Sequence, residues 1–303
     1  MVDASDLLVE GPWHHRLVAA NGARFHVAEA GQGPLVVLLH GFPQFWWAWR
    51  HQLPALASAG YHAVAMDLRG YGASDKPPRG YDPFTSTADV AGVVRSLGAT
   101  RAVVIGHGWG GWIAWSMPGL TGSLTHAIAA LSMPHPMHWR RSLLHRDRRR
   151  IVKELLRLQV PMLPERRLRR GPGVDDALAA WAGPGYPDAE TAHRYRSAMQ
   201  VPFVAHTSLE YFRWAVRSLP RRDGRRFATV LREPIPVPVL AAHGEFDPSS
   251  VSAWSDPAQG RHPLVTGPLR WDVVPGVGHF LPEEAPAWLT ATLIGWLDEL
   301  RPW

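Results

Sequence analysis

The residues of this chain that could do chemistry lie at three separate places. The first is the sequence Gly-His-Gly-Trp-Gly-Gly at 106–111, which lies between two apolar runs. Small residues around one central position are typical of a sharp turn from a strand into a helix, where an enzyme exposes a nucleophile beside backbone N–H groups. The central residue is Gly108, which has no side chain. The spacing therefore predicts the turn of a nucleophilic catalyst without its nucleophile.

The other two places offer an acid and a base. Asp247 lies in His-Gly-Glu-Phe-Asp-Pro at 243–248, and His279 lies in Gly-Val-Gly-His-Phe at 276–280. A histidine that is oriented by a carboxylate can act as a general base and activate water. Their order along the chain is nucleophile position, acid, histidine. We predict that Asp247 and His279 are catalytic, with Glu245 as the weaker candidate for the acid.

Strands alternating with helices must position these three places. Apolar runs at 35–39, 63–66 and 102–105 have the length of buried strands, and helices are predicted up to about 59 and over 85–97. This alternation predicts an α/β fold with a mostly parallel central sheet flanked by helices. Right-handed connections place the turn at 106–111 in the middle of that sheet, at the carboxyl ends of the strands.

The rest of the chain predicts a hairpin at the start and a helical insertion later. Asn21-Gly22 favours a type I′ turn between two antiparallel edge strands. After a strand at 125–131 the chain is rich in arginine and proline and has no strand pattern, until strands resume at 237–242 and 271–274 and a helix follows over 283–300. We therefore predict a core of residues 1–135 and 233–303 and a helical cap of residues 136–232.

Five motifs resemble those of epoxide hydrolases with the α/β-hydrolase fold. They are His-Gly-Phe-Pro at 40–43, the run from Asp67 to Pro77, the turn at 106–111, Pro-His-Pro at 134–136 and the His279 loop. Together they cover the whole predicted core. Further segments at 11–13, 209–211 and 213–218 resemble the mycobacterial epoxide hydrolase E subfamily more closely still.

This resemblance implies a two-step reaction. An aspartate at position 108 would open the epoxide to an ester, and His279, oriented by Asp247, would activate the water that hydrolyses it. The backbone N–H groups of Phe42 and Trp109 would form the oxyanion hole. The remaining residues that the resemblance assigns to the substrate pocket are His40, Pro43, His107, Tyr211, Phe212 and Phe280.

Tyrosines of the cap would protonate the epoxide oxygen in this family, and the chain departs from that pattern as well. The stretch 156–159 has no tyrosine, and Phe212 stands where the second tyrosine is expected. Tyr211 lies one residue earlier, which is about 100° away around a helix.

The glycine at position 108 leaves two hypotheses open. In the first, family-type epoxide hydrolysis is impaired or replaced, and the pair Asp247 and His279 activates water directly against a small hydrophobic substrate such as an ester. In the second, the protein is a non-catalytic pseudo-hydrolase that binds a ligand, or a protein partner through the basic cap. Gly108 would then relax a strained turn.

Composition restricts the other function classes. The net charge is +6, and all of the 32 basic residues except Lys76 and Lys153 are arginines, but no nucleic-acid-binding motif surrounds them. The chain has no Cys, no apolar run of about 18 residues and no leader-like start, which predicts a cytoplasmic protein. His135 and His138 lack a third metal ligand, and the glycines do not fit a dinucleotide motif. We predict no metal, no cofactor and no nucleic acid, and a monomer or a homodimer.

Overall fold

A computed structural model describes residues 2–145, 148–170, 172–249 and 262–303. In these residues eight strands form one sheet in the order β1-β2-β4-β3-β5-β6-β7-β8. The strands are β1 (His14–Ala20), β2 (Ala23–Ala30), β3 (Leu35–Leu39), β4 (His62–Met66), β5 (Ala102–His107), β6 (Thr125–Leu131), β7 (Val239–Gly244) and β8 (Leu269–Val274). The pairs β1–β2 and β2–β4 are antiparallel and all other pairs are parallel. The predicted α/β fold with a mostly parallel sheet is confirmed.

The hairpin at the start of the sheet has the predicted turn. Asn21 and Gly22 have φ angles of 44° and 73°, which are the positive values of a type I′ turn. The expectation of two edge strands is wrong for β2, because β2 also pairs with β4 along Val27 to Ala30. Of these two strands, only β1 lies at an edge of the sheet.

The parallel strands are buried because helices cover both of their faces. Every residue of β3, β5 and β7 is buried, which explains why they read as continuous apolar runs. β5 lies between β3 and β6, so the residues that follow it emerge mid-sheet at the carboxyl edge. This placement brings the turn at 106–111 next to the ends of the neighbouring parallel strands.

The core helices are α1 (Gln52–Ser58), α2 (Pro83–Ser96), α3 (Trp109–Thr121), α11 (Leu281–Glu284) and α12 (Pro286–Glu299). The predicted helix up to residue 59 begins instead as a 3₁₀ turn, Trp46–Trp49, and becomes α-helical only at Gln52. The closing helix is interrupted at Ala285, since Pro286 lacks an N–H donor and takes the first position of α12.

Between β6 and β7, the described residues form seven helices. They are α4 (Pro136–Ser142), α5 (Arg149–Arg157), α6 (Leu163–Arg169), α7 (Pro172–Trp181), α8 (Ala189–Gln200), α9 (Val204–Arg217) and α10 (Arg222–Val230). We refer to residues 136–232 as the helical insertion. Across the described parts of the chain, none of the helices combines the length and the apolar character needed to cross a membrane.

Candidate active site

The turn between β5 and α3 is shaped by close approaches of its outer glycines. A Cβ atom at Gly106 would lie 2.0 Å from the carbonyl oxygen of Gly110, and a Cβ at Gly110 would lie 2.2 Å from the carbonyl oxygen of Leu39. Side chains at these two positions would therefore force the helix away from the strand. The flanking glycines let α3 start directly above β3 and β5.

Gly108 at the tip of the turn is different, because a Cβ there would meet its neighbours at longer distances. Its backbone has φ 53° and ψ −117°, a conformation that is strained for any residue with a side chain. A Cβ built on Gly108 would lie 3.3 Å from the Cα of Gly41 and 3.4 Å from Nε2 of His279. A side chain at position 108 would thus start beside the imidazole nitrogen of His279.

Asp247 and His279 are brought together. Nδ1 of His279 lies 3.0 Å from Oδ1 of Asp247, and the backbone N–H and the hydroxyl of Ser249 donate to the same carboxylate at 2.8 Å. Burial alone would raise the pKa of Asp247, but the His279 ring and the Ser249 donors lower it below its ordinary value. Asp247 is therefore ionised at neutral pH, and it holds His279 with Nε2 directed toward Gly108.

The weaker acid candidate lies elsewhere. Glu245 is exposed, and its carboxylate accepts a hydrogen bond from the backbone N–H of Gly276 at 2.9 Å. It supports the loop before His279 and makes no contact with the imidazole. The geometry selects Asp247 as the partner of the histidine.

Further contacts fix the backbone and ring of His279. The backbone N–H of His279 donates to the backbone carbonyl of Trp181 at 2.8 Å. The Trp181 ring also packs edge-on against the imidazole, at a centroid distance of 4.9 Å. On the other side, Nε2 of His107 lies 2.7 Å from the His279 carbonyl oxygen. Since Trp181 ends α7, the helical insertion directly supports the histidine.

His107 connects this loop to a buried hydrogen-bond network. Its Nδ1 lies 2.8 Å from Oε1 of Gln44, whose amide donates to Glu283 at 2.7 Å. Burial, followed by the charge interaction with His279, lowers the pKa of His107 to about 3. His107 is neutral, so its single N–H donates to one of its two oxygen neighbours at a time. It is a buried support of the site.

Glu283 accepts hydrogen bonds from residues of both the helical insertion and the core. Its buried carboxylate accepts hydrogen bonds from Tyr186 at 2.8 Å and Tyr195 at 2.5 Å in the insertion, and from Gln44 and Arg50 in the core. Burial and the neighbouring Glu283 carboxylate raise the pKa of both tyrosines well above the usual value, which keeps their hydroxyls protonated.

The predicted oxyanion-hole residues flank position 108. Nearby amides are already bonded, since Gly108 donates to Leu131 and Gly110 donates to His40. In the described part of the chain, the N–H groups of Phe42 and Trp109 have no such backbone acceptor. They remain the donors that this turn offers to an anionic oxygen.

An aromatic side chain of α9 reaches these two residues. The Phe212 ring packs edge-on against Phe42 at 5.2 Å and against Trp109 at 4.9 Å between centroids, and all three are partly or largely buried. Tyr211 is turned away, because its hydroxyl donates to the carbonyl of Arg69 at 2.9 Å. Tyr211 therefore packs beside Trp109 without presenting its hydroxyl at position 108.

The other predicted pocket residues lie deeper. His40 is fully buried, with Nδ1 at 2.8 Å from the Gly41 carbonyl and Nε2 accepting from the N–H of Leu68. These contacts make it a support of the loops, and its predicted place in the pocket stays a prediction. Pro43 is also buried, and the Phe280 ring lies 5.3 Å from His279.

The two histidines considered as metal ligands join a third. His138 Nδ1 lies 3.0 Å from Nε2 of His262, and the His135 ring lies within 5.6 Å of both. In the contact between His138 and His262, two ring nitrogens bond to each other and are therefore occupied. Among the residues that the structure describes, no group of three or more ligating side chains is arranged to hold a metal ion.

Several supporting residues were missed from the sequence. Gln44 carried a signal, since it is a polar residue beside the His-Gly-Phe-Pro motif in an aromatic stretch. Ser249 also follows Asp247 closely enough to suggest a capped carboxylate. Trp181 and Glu283 carried no local signal, because their roles depend on contacts with distant parts of the chain.

Comparison with known proteins identifies the family of the chain. The Alpha/beta hydrolase family matches residues 36–292. Epoxide hydrolase A of Mycobacterium tuberculosis is 33% identical, over 94% of this chain and 98% of its own length. The crystal structure of epoxide hydrolase A from Mycobacterium thermoresistibile superimposes with a TM-score of 0.80 at 28% identity, covering 94% of this chain and 98% of that one. An epoxide hydrolase from an endophytic Streptomyces gives 0.77 at 30% identity, covering 96% and 97%. The chain belongs to the alpha/beta hydrolase family, with epoxide hydrolases as its relatives over nearly its whole length.

Proposed function

We propose that the protein hydrolyses a small hydrophobic ester by direct attack of water, with His279 as general base and Asp247 as its orienting acid. The observation that carries this proposal is the position of His279 Nε2, 3.4 Å from where a side chain on Gly108 would begin. In the two-step reaction that the resemblance implies, this volume would hold the aspartate nucleophile. With glycine, we place the attacking water in this volume beside the base.

The reaction then needs one proton acceptor and one oxyanion site. The water oxygen bonds to the acyl carbon while Nε2 of His279 takes its proton, and the carbonyl electrons move onto the carbonyl oxygen. The N–H groups of Phe42 and Trp109 stabilise this oxyanion. When the carbonyl re-forms, the bond to the alcohol oxygen breaks and His279 returns the proton to the leaving alcohol.

An ester suits this site better than an unactivated epoxide. Ring opening of an epoxide benefits from an acid that protonates the oxygen, and the α9 side chain that reaches Phe42 and Trp109 is Phe212, without a hydroxyl. The nearest alternative, Tyr211, donates to the Arg69 carbonyl. An ester requires only the base and the oxyanion donors.

The proposal also covers the organisation and ancestry of the chain. Residues 136–232 act as a cap over the core of 1–135 and 233–303, since Trp181 and Phe212 of the insertion contact His279 and Trp109. Within the family we place the chain in the epoxide hydrolase E branch, on the motifs at 11–13, 209–211 and 213–218. Gly108 is then a natural character of that branch.

The test is ester turnover by wild type and a His279→Ala variant over a panel of short-chain and aromatic esters. We expect His279→Ala to lower kcat by at least about 100-fold, because general-base catalysis contributes roughly that much or more. Glu245→Gln is the matched control, since this nearby acid bonds the Gly276 amide and makes no contact with His279. Equal turnover in wild type and His279→Ala would contradict the proposal. No turnover by either, together with equal binding of a hydrophobic ligand, would favour the non-catalytic alternative.

A further inference from the structure

Charge is divided unevenly between the two parts of the molecule. The helical insertion, residues 136–232, has 21 Lys and Arg against 9 Asp and Glu, which is a net charge of +12. The rest of the chain has 11 basic against 17 acidic residues, a net charge of −6. The insertion therefore presents a strongly basic surface on an acidic core, which favours an anionic partner on the side of the insertion.

One stretch of this basic surface also exposes large apolar side chains. Val160, Met162 and Leu163 are 44%, 77% and 62% exposed, and Phe203, before α9, is 72% exposed. Scattered exposed apolar residues are ordinary, but three of these four fall within four consecutive positions. We call these four side chains the apolar ridge.

The backbone of the ridge is strained at two positions. Met162 and Phe203 have φ angles of 66° and 70°, in the left-handed region that non-glycine residues rarely adopt. Such residues persist only where the surrounding structure holds them, and they cluster at functional sites. Here the strain presents two large apolar side chains to solvent.

Contacts with α9 hold the segment in this position. Arg213 donates to the carbonyls of Leu158 and Val160 at 3.1 Å each, and it forms an ion pair with Glu165 at 2.8 Å. His206 contacts the same Glu165 carboxylate at 3.2 Å, one turn from Phe203. The segment 158–165 therefore runs along α9 toward Phe203. We infer that the four side chains of the apolar ridge form one continuous surface.

Arginines follow the ridge directly along α6. Arg166, Arg169 and Arg170 are exposed, and no carboxylate of a described residue lies within ion-pair distance of them. Arg167, by contrast, forms an ion pair with Asp176. The three unpaired guanidinium groups are available to phosphate groups outside the molecule.

We propose that this face of the insertion docks onto anionic phospholipid membranes, with the apolar ridge in the interfacial region and Arg166, Arg169 and Arg170 on the lipid phosphates. Exposed apolar side chains beside basic residues are the combination that binds a peripheral protein to anionic lipid. A nucleic acid would use the arginines but gains nothing from exposed Met162, Leu163 and Phe203.

The proposed docking face is held by α9, the same helix that contacts the candidate active site. Phe212 of α9 packs against Trp109 in the core, while Arg213, the next residue, holds the ridge segment. Docking would therefore bring the insertion, and the site beneath it, against the layer in which hydrophobic esters accumulate. The docking proposal does not depend on the proposed hydrolysis.

The test is co-sedimentation of the full chain with vesicles of phosphatidylcholine alone and of phosphatidylcholine mixed with phosphatidylglycerol. We expect binding to the anionic vesicles only, weakened by salt. Met162→Ser/Leu163→Ser/Phe203→Ser and Arg166→Glu/Arg169→Glu/Arg170→Glu should each lower the partition coefficient at least about tenfold. The first variant removes the apolar side chains from the interfacial region, and the second removes the cations from the lipid phosphates. Thermal unfolding of each variant verifies that it is folded.

Two matched variants separate this face from general charge attraction. Arg221→Glu/Arg222→Glu/Arg225→Glu makes the same change in net charge at the start of α10, and Leu17→Ser removes a 54% exposed apolar side chain on β1. Both should bind anionic vesicles nearly as wild type does. An equal loss in the α10 variant, full binding by the ridge variant, or no binding by wild type would overturn the proposal.

Discussion

Three of the four glycines in the turn at 106–111, namely Gly106, Gly108 and Gly110, have different physical reasons for being glycine. Gly106 and Gly110 are required because a Cβ at either would lie within 2.2 Å of a backbone oxygen. At Gly108 the nearest atoms to a Cβ are 3.3 Å and 3.4 Å away, which are tight contacts that small shifts relieve, and the backbone conformation adds strain. Position 108 is therefore the one glycine of these three where a functional side chain fits at the expense of strain.

A Gly108→Ala variant separates strain from chemistry. We expect the free energy of unfolding to fall by about 1–3 kcal/mol, because alanine must adopt φ 53°. We also expect ester turnover to fall sharply, because the new methyl carbon lies 3.4 Å from His279 Nε2 and excludes the attacking water. Urea unfolding and kcat/KM measure the two effects.

Gly98→Ala is the control for Gly108→Ala. Gly98 has φ 81° and nothing within 4 Å of a built Cβ, so the variant carries similar backbone strain far from the site. Its stability should fall while its turnover stays at the wild-type level. Wild-type turnover in Gly108→Ala would show that no water acts at this position.

At the scale of elements, the network around Glu283 joins the insertion to the core. Tyr195 of α8, Tyr186 before it, Gln44 and Arg50 all donate to this one carboxylate of α11. Through Gln44 and His107 the network continues to the carbonyl of His279. The position of the His279 loop thus depends on elements from both parts of the chain.

Glu283→Gln tests this network. The amide keeps the size of the side chain but removes the charge that pairs with Arg50 and gives two hydroxyl donors a poorer acceptor. We expect the free energy of unfolding to fall by about 3 kcal/mol, because a buried ion pair loses one partner. Asp176→Asn breaks an ion pair whose side chains are 66% and 60% exposed, and should change stability by less than about 1 kcal/mol. Equal losses in urea titrations of both variants would contradict the role of Glu283.

The sequence predicts the elements better than the contacts between them. β3 was predicted to the residue and β4 to within one, since an apolar run of strand length is a local signal. The break at Ala285 was missed although Pro286 marked it. The Glu283 network could not be predicted, because Gln44 and Glu283 are separated by 239 positions. Contacts at that separation depend on the packing of the whole chain.

At the scale of the whole molecule, the site is assembled between the carboxyl edge of the sheet and the insertion. The approach of Gly108, Asp247 and His279 to one another was predictable, because the fold places their three loops at one edge of the sheet. The sequence did not predict which side of the insertion faces these loops. It also did not predict the ring contacts of Trp181 with His279 and of Phe212 with Trp109. Around Gly108 the structure brings together the pair Asp247 and His279. This is the setting that we propose for a nucleophile that the chain itself lacks.

The most direct test of this account is to supply that nucleophile. In Gly108→Asp/His279→Ala, the new carboxylate should open an activated epoxide such as styrene oxide, and without the base the ester should persist. Intact-protein mass spectrometry should then detect a gain of one substrate mass, absent from Gly108→Asn/His279→Ala and from wild type. No adduct on the folded aspartate variant, or the same adduct on wild type, would contradict the claim that Gly108 occupies the nucleophile position of an otherwise assembled site.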